Sequence, residues 1–453
     1  MTEGGKRSRT LVVKELGRVE GEGGLTLRLR PGRPPEARLR IFEPPRFFEG
    51  LLRGRSQLEV PDITARICGI CPVAYQTAAC QALEDALGLE LDPRLHDLRR
   101  LLMCGEWIES HALHMLLLHA PDFLGYPDGV ALARAGEAER ERVAAGLRLK
   151  QIGNALMTAI GGREIHPVNV RVGGFYSLPR RRTLDALLPD LEWARGAAAA
   201  LLEWFSGFAF PDPARPPQEV ERVALRHPID YPMLQGRLVS SAGLDLAVRD
   251  YDAHFVERQV DHSTALHSLR RPPGGDRDRG GEDGSPYLCG PLARFDLNFD
   301  RLPAEVRAAA KRAGLAAPCA NPFKSLLVRA VETLYACGEA LRLVQAYSPP
   351  ARPGVEVPRR AATGHGCVEA PRGILYHRYT VDEGGLVRDA RIVPPTSQNQ
   401  RAIELDLESL APRLLELPAE EARHLAEQAV RNHDPCISCA THFLRLRVVE
   451  GDP

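Results

Sequence analysis

No apolar run in this 453-residue chain approaches the roughly 18–20 residues that a bilayer-spanning helix needs; the nearest, Leu113 to Ala120, is short and carries His114 and His119. A helical membrane span is therefore not expected. Charge of one sign is not in excess either, since Lys+Arg and Asp+Glu both number 59. That balance removes the electrostatic case for a nucleic-acid or anionic-membrane partner. The basic start, MTEGGKRSRT, is not followed by the apolar core of a signal peptide, so the expected location is cytoplasmic. Ten cysteines are too few for a disulfide scaffold in a chain of this length. Six of them (Cys80, Cys104, Cys289, Cys319, Cys337, Cys367) stand alone and read as small buried apolar residues. No GxGxxG follows a strand, and GEGGL at 21–25 lacks the spacing and context of a dinucleotide site.

The residues that are present describe a mainly α chain of the α+β class. Short apolar clusters at Leu11–Val13, Leu25–Leu29 and Ala37–Ile41, set between Gly and Pro breakers, predict a β region over 10–42. Helical periodicity then takes over from Ala74 to Leu87, closing at Gly88, and from Pro93 to near Pro121. Further helices are expected at 134–160, 182–208, 303–316, 323–347 and 418–432, giving a central bundle of long helices. The middle third is less regular, and the Gly/Pro-rich 271–286 reads as a surface loop. Ile374–Tyr379 and Leu386–Val393 flank the turn Asp382–Gly385 and predict a hairpin in the C-terminal third. His111, His114 and His119 read as buried hydrogen-bonding histidines, not ligands. The whole of 1–453 is read as one domain.

The other four cysteines form two pairs, Cys68-Gly69-Ile70-Cys71 and Cys436-Ile437-Ser438-Cys439. Within each pair both thiols reach one ion, so two pairs make a four-thiolate site. The 364 residues between the pairs are unlike a zinc ribbon or finger, which closes over roughly 12 to 20. A buried centre between the two chain ends fits better than a local clip. Thiolate chemistry alone leaves structural zinc, a redox metal or cluster, and thiol–disulfide exchange all open.

The flanks RICGICPVAYQ (Arg66–Gln76) and DPCISCATH (Asp434–His442) resemble the two signature motifs of nickel-iron hydrogenase large subunits, in the same order and at opposite ends. The resemblance extends to GRVEG (17–21), FFEGLLRGR (47–55), SHALH (110–114), VEAPRG (368–373) and VPPTSQN (393–399), and is thinnest over about 210–320. It implies reversible heterolytic cleavage of H2 at a nickel-iron centre. Cys68, Cys71, Cys436 and Cys439 would bind nickel, with Cys71 and Cys439 also bridging to an iron that carries cyanide and carbon monoxide. Arg372, Thr396 and Pro395 would face those iron ligands. Arg372 would also assist H2 cleavage. Cys436 and Glu20 would take the proton in turn, and Asp434 would accept a hydrogen bond from Arg372 or from a nearby backbone group and so orient the site. Glu49, Gln400 (by its backbone carbonyl) and His442 would hold magnesium. FLRLRVVEGDP, 443–453, matches an extension that a maturation endopeptidase removes after metal-insertion proteins have loaded the site.

Two positions depart from the uptake members of that family, which have histidine where this chain has Tyr75 and aspartate where it has Ser110. CPVAYQ is instead similar to the cytosolic bidirectional group, whose complexes exchange electrons with NAD(P) and in some cases reduce sulfur. With no further cysteine cluster, the implied partners are an iron-sulfur small subunit and diaphorase subunits that bind flavin and NAD(P). The alternatives are a metal-free relative like the quinone-site subunit of complex I, which retention of all four cysteines speaks against, and a structural zinc scaffold.

Overall fold

The computed structural model describes residues 8–30, 32–212, 220–271 and 284–441. The chain opens on an antiparallel sheet of β1 (Arg9–Val13), β2 (Gly23–Leu29) and β3 (Glu36–Ile41), as the alternation predicts. Its inner face, with Leu25, Leu27 and Leu39, is fully buried. Helices follow: α1 (Pro72–Leu87), α2 (Pro93–Leu113), α3 (Glu137–Gly161) and α4 (Leu188–Ser206). β4 (Phe255–Val260) and β5 (Ser263–Arg270) make a hairpin, and α5 (Ser325–Ala346) completes the bundle with α2, α3 and α4. A second three-stranded sheet, β6 (Ala362–Ala370), β7 (Gly373–Val381) and β8 (Val387–Val393), contains the expected hairpin. α6 (Pro395–Glu416) and α7 (Ala419–Arg431) pack on each other, and α6 also packs on the first sheet.

The structure departs from the periodicity in four places. The long helix from Pro93 does not run on unbroken: a π turn at His114–His119 leads into a short helix, Ala120–Leu124. Pro121 lacks the N–H that an α-helical ladder uses, and the widened turn lies immediately before it. The segment 182–208 is two helices, Arg181–Asp185 and α4, because Pro189 suits the first turn of a new helix. The helix expected at 303–316 is shorter, Ala304–Arg312, with Gly314 in the left-handed region just beyond it. α6 was not expected at all. Pro395 sits in its first turn, where no N–H is needed. All ten cysteines are buried, and the six lone ones lie in the core as expected. Of the loop read at 271–286, residues 272–283 lie outside the described residues.

One seam fixes the geometry of the site. β6 lies across α1 so closely that a Cβ at Gly364 would overlap the backbone of Ala82 and Ala86, and one at Gly366 that of Ala78 and Ala82. The helix side of the contact is itself built of alanines. As β6 runs forward it meets residues progressively nearer the start of α1, so the β6–β7 turn, with Arg372, arrives where Cys71 begins that helix.

Candidate metal centre

Cys71 immediately precedes α1 and Cys68 lies on the loop before it. The first turn of a helix leaves N–H groups without partners. Here the buried Glu106 carboxylate of α2 accepts from Val73 N at 2.7 Å and Ala74 N at 3.2 Å, holding the cysteine loop in place. Cys436 and Cys439 sit at the start and within a one-turn helix, Ile437–Ala440. The four Sγ atoms all lie within 4.8 Å of one another, with Cys68–Cys71 at 2.9 Å, Cys68–Cys436 at 3.6 Å and Cys71–Cys439 at 3.9 Å. Thiolates about 2.3 Å from a shared tetrahedral ion stand about 3.8 Å apart, so the cage is close to metal-binding dimensions. Burial pushes the Cys436 and Cys439 thiols up. Thiols bind a metal as thiolates, so loading the cage releases protons.

Glu20 reaches this cage from the N-terminal end of the chain. It pairs with Cys436 as a parallel β-bridge, its carbonyl accepting from Ile437 N at 2.9 Å. Its Oε2 then accepts from Cys436 Sγ and from Ser438 N, both at 3.1 Å. Behind this loop lies a buried charge cluster. Asp122 accepts from both ends of Arg431 and from Arg18, and Arg431 also donates to Gly17 O at 2.9 Å. Burial alone would raise the Asp122 carboxyl, but bonds from His119 and Arg431 and the charge of Arg431 outweigh it and hold it well below the usual carboxylate range. The GRVEG loop is thereby tied to α7.

Arg372, 3% exposed, donates from Nε to Asp434 O at 2.9 Å and from Nη2 to Asp434 Oδ1 at 3.3 Å. Its Nη1 is buried with no partner. An unpaired buried donor costs about 1–3 kcal/mol, and more when charged, so this atom is poised for an acceptor. Asp434 pays for the contact with a left-handed backbone, φ 50°. The turn itself is gripped by Arg294, which donates to Ala370 O at 2.6 Å and Pro371 O at 2.9 Å. The same guanidinium binds Glu332 and Glu369, and it stacks 4.4 Å from the Trp107 ring. Thr396, on the first turn of α6, accepts from Cys436 N at 2.9 Å. That bond uses the hydroxyl oxygen, so its hydrogen can donate elsewhere.

Glu20, Cys68, Cys71, Arg372, Thr396, Asp434, Cys436 and Cys439 are thus one buried constellation. Pro395 stands beside Thr396, its carbonyl 3.9 Å from Cys289 Sγ. Glu49 and Gln400 take separate partners: Glu49 Oε1 accepts from Ile392 N at 2.8 Å, while the Gln400 amide bonds Ser263 and Leu266 O of β5. His442 and the tail 443–453 lie outside the described residues. His111, His114 and His119 bond Glu332, Arg431 O, and Asp122 with Asn432 respectively, as the reading of buried hydrogen-bonding histidines expects. At the two divergent positions, Tyr75 Oη and Ser110 Oγ are buried without partners. The sequence reading missed Glu106, Asp122 and Arg294. It also missed Arg46, which donates to Ile67 O at 2.8 Å and to Ser438 O and so ties the two cysteine loops together. Only Arg46 carried a signal, lying next to FFEGLLRGR.

Comparison with known proteins decides what this constellation is. The nickel-dependent hydrogenase family profile matches residues 46–147 and 320–442. Sulfhydrogenase 2 subunit alpha of Pyrococcus furiosus is 35% identical over 442 residues, covering 96% of this chain and 99% of that protein. The chain belongs to the nickel-dependent hydrogenases. Sulfhydrogenase 1 subunit alpha of the same organism is 32% identical over 439 residues, spanning 96% of this chain and 98% of that one. Among solved structures, an NAD+-reducing NiFe hydrogenase in the H2-reduced state superposes with a TM-score of 0.84 at 28% identity, covering 96% of this chain and 99% of that chain. The Ni-Fe-Se hydrogenase of D. vulgaris Hildenborough shares the fold, with a TM-score of 0.77 at 21% identity over 96% of this chain and 100% of that one. This hydrogenase chain is the catalytic subunit, and the buried cysteine quartet is its metal-binding site. No helix among the described residues is long and apolar enough to cross a membrane.

Proposed function

We propose that the quartet holds a nickel-iron centre in which Cys68 and Cys436 are terminal ligands and Cys71 and Cys439 bridge to an iron bearing cyanide and carbon monoxide. When bound, such a centre supplies heterolytic cleavage of H2, releasing protons and electrons. The residues fit it: four buried thiols lie at metal-binding spacing, the Arg372 guanidinium is near enough to interact with Cys436, Cys71 and Cys68, and its Nη1 is a buried donor left without a partner. Arg372, on the β6–β7 turn, and the Thr396 hydroxyl, which follows Pro395 in the first turn of α6, are the donors for cyanide nitrogens, which are costly to bury unpaired. Asp434 positions Arg372. A proton on Cys436 Sγ passes to Glu20 Oε2, 3.1 Å away. That short contact is the observation that carries the proton route.

Magnesium is assigned to Glu49 and His442. Gln400 of α6 is the third ligand, through the second lone pair of its backbone carbonyl. Electrons leave to an iron-sulfur small subunit. A diaphorase module with flavin then passes them to NAD(P), or they go to sulfur, a reading supported by relatives named as sulfhydrogenase alpha subunits and as an NAD+-reducing hydrogenase. Infrared spectroscopy of the purified, matured complex tests the centre. Metal-bound carbonyl and cyanide bands, with one nickel and one iron per chain, are expected; zinc alone, without those bands, overturns it.

A further inference from the structure

A second cluster of metal-ligating side chains lies away from the cysteines. His262, in the β4–β5 turn, His267 of β5 and Glu404 of α6 present ligand atoms that all lie within 4.8 Å of one another. His262 Nε2 is 2.7 Å from Glu404 Oε1, and the two imidazole rings stand 5.5 Å apart, nearly perpendicular. His267 is 4% exposed, and its Nε2 is buried with no partner. A buried ring nitrogen with nothing to bond is costly in a protein interior unless a ligand takes it.

Charge and shape fit a cation. Burial holds the His267 imidazole down, to about 4, so it is neutral with a lone pair available at ordinary pH. Glu404 is held below its usual range: burial would raise it, but the bond from His262, the charges of the two histidines and a bond from Leu39 N together outweigh burial. Arg258 and Arg401 add positive charge nearby, but Arg401 is already paired with Glu404 and Glu408. The three ligands line a groove of about 410 Å³. Such a groove leaves room for water in the remaining coordination positions.

We infer that His262, His267 and Glu404 form a binding site for a first-row divalent cation, zinc foremost, distinct from the cysteine centre. Two imidazoles and a carboxylate are ligands of zinc and its neighbours, not of magnesium. Ligands about 2.0–2.1 Å from a tetrahedral ion stand about 3.4 Å apart. On binding, His262 and Glu404 therefore separate slightly while His267 turns inward. The ion clamps the β4–β5 hairpin to α6, the helix whose first turn holds Thr396 against Cys436.

The test uses matured complex, with its cysteine centre loaded, stripped of loosely held metal by a chelator and titrated with Co2+ and with Zn2+. One Co2+ per chain is expected, giving visible ligand-field bands without the near-ultraviolet sulfur-to-cobalt band of a cysteine site. Zinc binding should raise the thermal midpoint. His267→Ala and, separately, the less buried His262→Gln should each weaken Zn2+ binding at least ~10-fold while leaving H2 turnover unchanged. Wild-type affinity in both variants, a sulfur-to-cobalt band, or no binding by the wild type would overturn the site.

Discussion

Glu20 and Cys436 pair as neighbours in a β-bridge although 416 positions separate them, and the bridge brings the Glu20 carboxylate 3.1 Å from Cys436 Sγ. The contact is therefore set by backbone and not by side-chain rotamers alone. A carboxylate aimed by its own main chain loses little entropy in accepting a proton repeatedly.

Glu20→Gln should cut H2 oxidation and evolution by about 10²–10⁴-fold, the usual worth of a positioned proton carrier. The amide can still accept from Ser438 N, so nickel and iron content and the infrared bands should be retained. Glu20→Asp should restore part of the rate. Unchanged turnover in the Gln variant would rule out this proton route.

The Arg294–Glu332 pair supports the Arg372 turn and should show in the pH dependence of stability. Burial alone would raise the Glu332 carboxyl, but the charge and bonds of Arg294 and the bond from His111 bring it down to about 2. A folded-state value below the unfolded one means that the unfolded chain binds more protons in that interval. The contribution is then complete above pH ~4.5 and is lost as pH falls through about 2; it amounts to about 3 kcal/mol. Glu332→Gln should lower the melting temperature at pH 7, and the gap to wild type should narrow by pH 3. A gap that does not change with pH would contradict this assignment.

Gly366→Ala should disturb the site from a distance. The new methyl meets the backbone of Ala78 and Ala82, so α1 and β6 must move apart, at a cost of ~1–3 kcal/mol or more. Arg372 and the Cys68/Cys71 loop ride on those two elements. The expected result is a lower melting point together with shifted cyanide bands; a change in stability alone would show that the seam does not position Arg372.

The mass of the active subunit should correspond to a chain ending at His442, as the resemblance of FLRLRVVEGDP to a removable extension implies. Intact-mass measurement settles this directly. Full activity from chains that retain the tail would refute it.

How much was legible in the sequence varies with the kind of signal. The cysteine pairs and their flanks announced the metal cage, and α1, α2 and the β7–β8 hairpin followed from periodicity and turn residues. α6 was not among the expected helices, although Ile403, Leu407, Leu410 and Leu414 recur at helical spacing and are all buried. The supports were illegible for another reason. Nothing local marks Glu106, Asp122 or Arg294 as special, since each owes its role to partners that only the folded chain brings near. Charged residues in the middle of helices read as solvated surface until the packing is known.

The division of the cage between distant parts of the chain also sets a clock. After Cys71 has been made, the ribosome must add 364 residues before Cys436 exists. At about 5–20 residues per second that is a wait of roughly 20–70 s. During that interval a nascent chain offers only half a cage, two thiols that could capture a stray ion but cannot enclose one. Completeness of the polypeptide is thus checked before the metal is committed, and a truncated product is denied the centre by geometry alone.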